Sequence, residues 1–482
     1  MQNTAREFID EAYSELKGTH VLPVPWFAPH IRVGRDYYAE NLAGVDSLRR
    51  FEESMIAAFP AHFAKPPPPE YQHLPHFYTY SLLEEVVRRN AALYQYGTSP
   101  NGVDEGVVSE CVEELLAALS SPEFEWAACR VVSHLTTTTG GPVKIGDILV
   151  QPAPRQWEVL RIIADVIPGS GGAASSDDLH YQEPGSVVQV CTKVKTWSDT
   201  SSTTDKLTGR IREFLNGVRL LTGATLASEI QVQGSTSRIG RIPPYMFDLR
   251  SPGLMNTLTH RVARLDQCDA EPFSRFFDLM HKATASQQNK LISSLSMALA
   301  MFDRSHQLVP WFDRLVDLST ALEAALIGDG DDNAGLRLRL RHRAATLLAC
   351  ETDSPTDLFK DVGELYDLRS TLVHGGDITT KALSKKIKRI SVISAGPLLG
   401  RATEQALDRL RDIVRAILAR ICLSQGPDPL WTSDRSVDAV FADDRGRAEW
   451  RSAWQEHMAE IGVPGAVQRA LPEARFGKQT ED

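Results

Sequence analysis

An arginine and a histidine five residues apart are the residues of this sequence best suited to chemistry on a phosphate. They are Arg369 and His374, within the segment LFKDVGELYDLRSTLVHGG at positions 358–376. At 100° per residue, Arg369 falls on the same helical stripe as the leucines of this segment. A guanidinium on an apolar stripe must meet a carboxylate, line a cleft or face a subunit interface, because an unpaired buried charge is costly.

His374 is expected at the end of the same helix. Gly375 and Gly376 follow it, and glycines are typical of the positions just past a helix C-terminus. A histidine changes its charge near neutral pH, so it can act as a general acid or base. On an ideal helix, five residues place two side chains about 140° apart. We therefore expect either a distorted last turn or convergence of the two residues through a second copy of the domain.

The spacing alone also fits a purely structural interpretation. An Arg-x4-His pair is expected about once by chance in a chain of this composition, so the motif by itself is weak. In that interpretation Arg369 is a structural arginine and His374 merely ends a helix. The residues around the pair favour a functional role instead.

The segment LYDLRSTLVHGG closely resembles the signature of the Apea-like branch of the HEPN superfamily. In that branch, Leu-Tyr-x-x-Arg-x-x-x-(hydrophobic)-His-Gly lies on the helix before the last one. Upstream, LVDLSTALEAALIG (315–328) and LRLRHRAATLLA (338–349) resemble other helices of the domain, so the resemblance covers roughly residues 285–424. More faintly, PVKIGDILVQPAPRQWEVL (142–160) and REFLNGVRLLTG (212–223) resemble a domain that often precedes it.

The resemblance implies a metal-independent endoribonuclease. HEPN ribonucleases carry an Arg-x(4–6)-His motif on antiparallel helical dimers, and both copies frame one cleft. The RNA 2′-hydroxyl attacks the adjacent phosphorus, leaving a 2′,3′-cyclic phosphate and a 5′-hydroxyl. His374 would be the general base or acid and Arg369 would stabilise charge on the phosphoryl oxygens. The implied partners are an RNA and a second copy of the chain, with no metal and no cofactor.

The same resemblance implies a role in bacterial defence against phage, in which RNA cleavage halts growth of the infected cell. The N-terminal half would then sense a phage-derived trigger, restrain the nuclease or select the RNA. Two other interpretations stay open. The domain could be a non-catalytic scaffold for dimerisation or nucleotide binding, or the chain could be a toxin held by a partner antitoxin.

Supporting roles are expected for residues around the pair. Ser370 stands where the family commonly has Asn, Asp or His, so it can hydrogen-bond but carries no charge. Glu323, at the edge of an apolar stripe, could pair with Arg369 or stay solvated, and Tyr366 belongs to the matching segment. A basic run after the motif is either a track for RNA phosphates or an ordinary solvated loop or helix face. Its members are Lys381, Lys385, Lys386, Lys388 and Arg389.

Composition sets the wider expectations. The chain has 482 residues and a formal net charge of −10, so a nucleic-acid site must be local rather than spread over the surface. No run approaches the roughly 18 consecutive apolar residues that span a bilayer. The six cysteines are scattered without a CxxC pair, which argues against zinc and disulfides and for a reducing cytoplasm.

The patterns along the chain predict an α+β fold in four regions. These are an N-terminal helical and irregular region (1–124), an α+β sensor or regulatory domain (125–260), an all-α HEPN bundle (261–424), and an appendage with a loose tail (425–482). Strands are predicted in CRVVSHL, VKIGDILV and SVVQVCTKV, with one helix inserted around Leu207 to Leu221. After Pro252, helices are predicted at about 270–282, 288–305, 310–327, 336–350, 355–374 and 402–424.

Overall fold

The described part of the chain is mostly helical, with one small antiparallel sheet in its N-terminal half, which is consistent with the predicted α+β class. The computed structural model describes residues 1–17, 42, 44–63, 78–79, 82–83, 85–86, 89, 103–121, 123–152, 185–195, 200–235, 261–285, 294–306, 310–327, 335–349, 354–374, 379–393, 398–424 and 437–461. Within these residues, no helix has the length and the apolar character needed to cross a membrane.

The N-terminal helices have a hydrophobic core of their own. They are α1 (Gln2–Lys17), α2 (Asp46–Ala58), α3 (Pro60–Phe63) and α4 (Glu105–Ser120). Phe8 and Phe51 stack at the centre of this core, which also holds buried residues of α4. The Asp104 carboxylate caps α4, since it accepts hydrogen bonds from the backbone N–H groups of Gly106 and Val107.

Seven strands are described next along the chain. They are β1 (Phe124–Ser133), β2 (Leu135–Thr137), β3 (Val143–Ile145), β4 (Ile148–Pro152), β5 (Ser186–Val194), β6 (Ala227–Ser235) and β7 (Ala263–Leu265). Five of them form an antiparallel sheet in the order β3-β4-β5-β1-β6, and β2 and β7 form a separate parallel pair. The predicted inserted helix is α5 (Thr200–Thr222), which packs on β1 and β5. Trp126 of β1 is buried and donates its indole N–H to Thr204 of α5 at 2.9 Å.

The rest of the described chain is helical. The helices are α6 (Ala270–Ala285), α7 (Ser294–Arg304), α8 (Trp311–Leu326), α9 (Leu336–Leu348), α10 (Pro355–Val373), α11 (Thr380–Ile387), α12 (Leu399–Leu423), α13 (Val437–Ala442) and α14 (Asp444–Ile461). The long α12 contacts α6, α8, α9 and α14 and is buried along most of its length. One hydrophobic core runs without interruption from the sheet into these helices.

The predicted helices between residues 270 and 424 are confirmed, including the arginine-rich segment that alternates like a strand. That segment forms α9 because Leu340, Ala344 and Leu348 fall at helical spacing and are all buried. Helices α11, α13 and α14 were not predicted. The region expected to be an appendage packs on the bundle, where Phe441 and Trp450 are buried. The expected loose tail after residue 461 lies outside the described residues.

Candidate active site

Helix α10 carries the candidate pair, and its sequence explains its bounds. Ser354 caps the N-terminus by accepting a hydrogen bond from the Asp357 N–H, and Pro355 occupies the first turn. Leu358, Val362 and Leu365 lie on one stripe and are fully or almost fully buried. The helix ends at Val373, with His374 as its C-terminal cap. Gly375 and Gly376, expected just past the end of this helix, lie outside the described residues.

Arg369 meets a carboxylate, which is one of the three environments expected for an arginine on an apolar stripe. Its Nη2 donates to Glu323 Oε2 of α8 at 3.3 Å, and the two side chains are only 19% and 22% exposed. The Arg369 guanidinium also lies over the Tyr366 ring, 5.8 Å from its centroid. The expected pairing of Glu323 with Arg369 is therefore present in the structure.

Tyr366 completes this group through the same carboxylate. Burial raises the pKa of its phenol to about 12, and a hydrogen bond to Glu323 together with the charge of Glu323 adds to the shift. The phenol therefore stays protonated at neutral pH and donates to the carboxylate. Glu323 thus accepts hydrogen bonds from both Tyr366 and Arg369, which fixes the position of both side chains.

The bond to Glu323 does not engage the Nε of Arg369. Its Nε is buried and has no hydrogen-bond partner in the described part of the chain. A buried charged donor without a partner is costly, so it marks a place where an acceptor from outside the chain would be stabilising. This is the feature of the Arg369 environment that points beyond a structural role.

His374 is exposed at the end of α10. Its backbone N–H donates to Ser370 O at 3.2 Å, which is the ordinary helical bond, and also to Leu372 O, while its own backbone (φ −85°, ψ 13°) is no longer helical. The helical hydrogen bond is thus kept up to this cap, and ideal helical geometry would place the Arg369 and His374 side chains about 140° apart. Among the described residues no hydrogen bond joins these two side chains. The half-buried Ser370 lies between them in sequence, and its carbonyl supports the last turn.

The basic run divides into two groups on and after α11. Lys386 is half-buried, and its Nζ donates to Asp367 O at 3.0 Å and to Thr371 Oγ1 at 3.2 Å. Arg389 pairs with Glu364 of α10 at 3.3 Å. These two side chains attach α11 and its C-terminal end to α10. The other three, Lys381, Lys385 and Lys388, are exposed.

The arginines of α9 are engaged within the chain. Arg337 pairs with Asp367, and Arg339 and Arg343 both face Asp438 of α13. Arg341 instead donates to the Phe359 carbonyl and lies over its ring, 3.8 Å from the centroid. Three of the four arginines therefore form ion pairs, one with Asp367 inside the bundle and two with Asp438, which lies beyond the predicted end of the bundle at residue 424.

Sequence reasoning missed Asp361, which anchors the first half of α10. Its side chain is fully buried and accepts hydrogen bonds from Arg409 Nε of α12 at 2.9 Å and from Ser391 Oγ at 2.6 Å. A signal was available, because Asp361 stands four residues before Leu365 on the buried stripe. Like Arg369, this carboxylate is a charge on an apolar stripe and therefore needs a partner.

No group of three or more histidine, cysteine, aspartate or glutamate side chains within the described ranges is arranged to hold a metal ion. Comparison of the chain with protein-family models, with curated proteins and with solved structures found no match.

Proposed function

We propose that the chain is a metal-independent endoribonuclease of the HEPN type, with Arg369 and His374 as its catalytic pair. The observation that supports this most directly is Arg369 itself, held between α8 and α10 by Glu323 while its Nε has no partner among the residues that the structure describes. A phosphoryl oxygen is an acceptor that such a donor would bind. His374, at the exposed end of the same helix, is accessible to a substrate.

In the proposed reaction a base removes the proton of an RNA 2′-hydroxyl as its oxygen attacks the neighbouring phosphorus. The bond from phosphorus to the 5′-oxygen breaks, and an acid protonates that oxygen. His374 serves as the base or the acid. Arg369 stabilises the negative charge that builds up on the phosphoryl oxygens. Glu323 and Tyr366 are positioning residues, because they hold the guanidinium.

The proposed active form is a homodimer. A helix that runs to Val373 would direct these two side chains to different sides of one α10. Two copies of α10 packed antiparallel would place the arginine of one near the histidine of the other. The exposed Lys381, Lys385 and Lys388 then offer positive charge for RNA phosphates beyond the cleavage point.

The scaffold interpretation is the second candidate, and one observation favours it. Arg369 already has a carboxylate partner in its own chain, as expected of an arginine that only holds α8 against α10. In that case the pair would support dimerisation or nucleotide binding without cleavage. The unused Nε and the exposed histidine are what favour the enzyme.

An RNA cleavage assay in EDTA separates the two candidates. Purified wild type, Arg369→Ala and His374→Ala are incubated with total RNA, and the ends are sequenced by their chemistry. We expect 2′,3′-cyclic phosphate ends from the wild type and a loss of about 100-fold or more for each variant, the usual contribution of a general acid or base. His281→Ala and Arg401→Ala, which remove an exposed histidine and an exposed arginine elsewhere, should cleave normally.

Each outcome of this assay is decisive for the site. Equal cleavage by wild type and both site variants would show that the assigned residues are wrong. A dimer, measured by analytical ultracentrifugation, that never cleaves RNA would establish the scaffold.

We place the activity in anti-phage defence on the strength of the sequence resemblance, and a cellular assay tests this setting. Cells expressing the chain should resist phage only when His374 is intact. Growth arrest without phage, dependent on His374, would instead indicate a toxin that needs an antitoxin partner.

A further inference from the structure

A second group of buried charges lies away from α10, where α5 meets α7 and α12. Arg219 of α5 is 3% exposed in its side chain and donates to Asp303 of α7 at 2.6 Å. The same guanidinium donates to the Leu226 carbonyl through Nε and Nη2, so all of its nitrogens are engaged. Arg212, two turns earlier on α5 and half exposed, approaches the other Asp303 oxygen at 3.7 Å. This network leads from the surface to the buried junction.

Helix α12 contacts both α5 and α7, and its Arg411, at the same junction, is only partly satisfied. Its side chain is 7% exposed, and its Nη1 donates to Asp408 one turn earlier. Its Nε and Nη2 are both buried and have no hydrogen-bond partner in the part of the chain that the structure describes. These two N–H groups form one edge of the guanidinium, the edge that binds two oxygens of a carboxylate or phosphate side by side.

Among the described residues, the neighbours of Arg411 do not supply an acceptor for this edge. His306, just after α7, is buried, and burial lowers its pKa well below the ordinary value, helped by the charges of Arg219 and Arg411. Its imidazole is therefore neutral at neutral pH, with Nδ1 donating to the Phe302 carbonyl at 2.8 Å. The charge of Arg411 also helps lower the pKa of Arg219, after burial. The two arginines and the histidine are thus close together.

The charges of this junction do not cancel. Three guanidinium groups, those of Arg212, Arg219 and Arg411, face the two carboxylates of Asp303 and Asp408. With a neutral histidine beside them, these described groups carry one more positive charge than negative, and the half-exposed Arg212 marks the surface end of the junction. Such a surplus is balanced by a small anion.

We propose that Arg411 anchors an oxyanion site at the junction of α5, α7 and α12. The Nε/Nη2 edge would bind the carboxylate or phosphate group of a small ligand, and the surplus positive charge would balance it. The ligand would join α12, in the helical half, to α5, which packs on the sheet. This proposal does not depend on the nuclease proposal, because no residue is shared between the two sites.

Thermal unfolding with added anions tests the site. Wild type is heated in sodium phosphate, sodium acetate and sodium chloride at equal ionic strength and pH 7. We expect phosphate or acetate to raise Tm above the chloride value by about 2 °C or more, since a ligand that binds only the folded state stabilises it. The salt that acts identifies the group, a phosphate or a carboxylate.

Two variants locate the effect. Arg411→Lys keeps the charge but loses the two-donor edge, so it should lose the anion-dependent rise in Tm. Arg401→Lys, the same change at an exposed position of the same helix, should keep it. An equal rise in wild type and Arg411→Lys would overturn the proposal, as would the absence of any rise in wild type, because water would then occupy the edge.

If Arg411→Lys does not fold, a crystallographic measurement on the wild type tests the site instead. Crystals grown in sodium selenate should give an anomalous selenium peak within hydrogen-bonding distance of Arg411 Nε and Nη2. Crystals with no selenium peak at this edge would contradict the proposal.

Discussion

Asp361→Asn should loosen the helix that carries the candidate site. The substitution removes the charge from a carboxylate that is fully buried and 2.9 Å from Arg409 Nε, whose side chain is 4% exposed. At an effective dielectric constant of 20, the attraction between unit charges at this separation is about 6 kcal/mol before desolvation. Losing one partner of a buried pair typically costs about 3–5 kcal/mol. Because asparagine keeps one acceptor oxygen, we expect the lower end, about 3 kcal/mol.

Hydrogen exchange measured by mass spectrometry is the suitable assay, because it reports on α10 and α12 separately. A cost of about 3 kcal/mol corresponds to exchange about 150-fold faster in peptides from these helices. Replacing both partners, as in Asp361→Asn with Arg409→Met, should cost at least about 1 kcal/mol less than the sum of the single changes.

The control is a pair on the surface of the same helical half. Glu271 pairs with Arg275 on α6, and the two side chains are 73% and 51% exposed. Glu271→Gln should change exchange by no more than about fivefold, since exposed pairs contribute about 0–1 kcal/mol. The reasoning is refuted if Asp361→Asn changes exchange in α10 as little as this control does.

Two further predictions concern packing and thiol chemistry. Gly217→Ala should lower the free energy of unfolding by about 1–3 kcal/mol, because an added Cβ would lie 2.0 Å from Phe277 Cε1 at the contact of α5 with α6. Urea unfolding measures this change, and an unchanged midpoint would contradict the prediction. Burial raises the pKa of the thiols of Cys111, Cys129 and Cys422 to about 12. At pH 8 these thiols should therefore resist alkylation in the native protein and react after denaturation, as measured by mass spectrometry. Labelled peptides from the native protein that contain these cysteines would contradict the prediction.

The elements that sequence reasoning predicted are those with a regular apolar pattern. The strands around β1 and β5 are rich in valine, and α10 repeats leucine and valine at helical spacing. Helix α11 has only Leu383 and Ile387 as buried residues, so its short, lysine-rich sequence gives little periodic signal. Helix α14 is equally polar, and it is held by contacts such as Arg420 over Trp454, 4.7 Å from the ring centroid.

The candidate site was predictable only where a charge interrupts an apolar stripe. Arg369 stands out for that reason, and the same test would have found Asp361. The partner of such a charge cannot be derived in the same way, because Glu323 lies 46 residues earlier and reaches Arg369 only through the packing of α8 on α10. The two roles of the lysines after the motif also depend on tertiary structure. Lys386 turns toward α10, while Lys385, its neighbour in sequence, is exposed.

The way α10 is held explains why a second copy, rather than a bend in the helix, would bring the proposed pair together. Lys386 binds the Asp367 carbonyl and the Thr371 hydroxyl, on either side of Arg369. Turning His374 toward Arg369 within one chain would unwind this turn and break the bond from the His374 N–H to the Ser370 carbonyl. Each such bond contributes about 0.5–1.5 kcal/mol, and nothing within the turn would replace them. Association of two copies through α10 breaks none of these contacts.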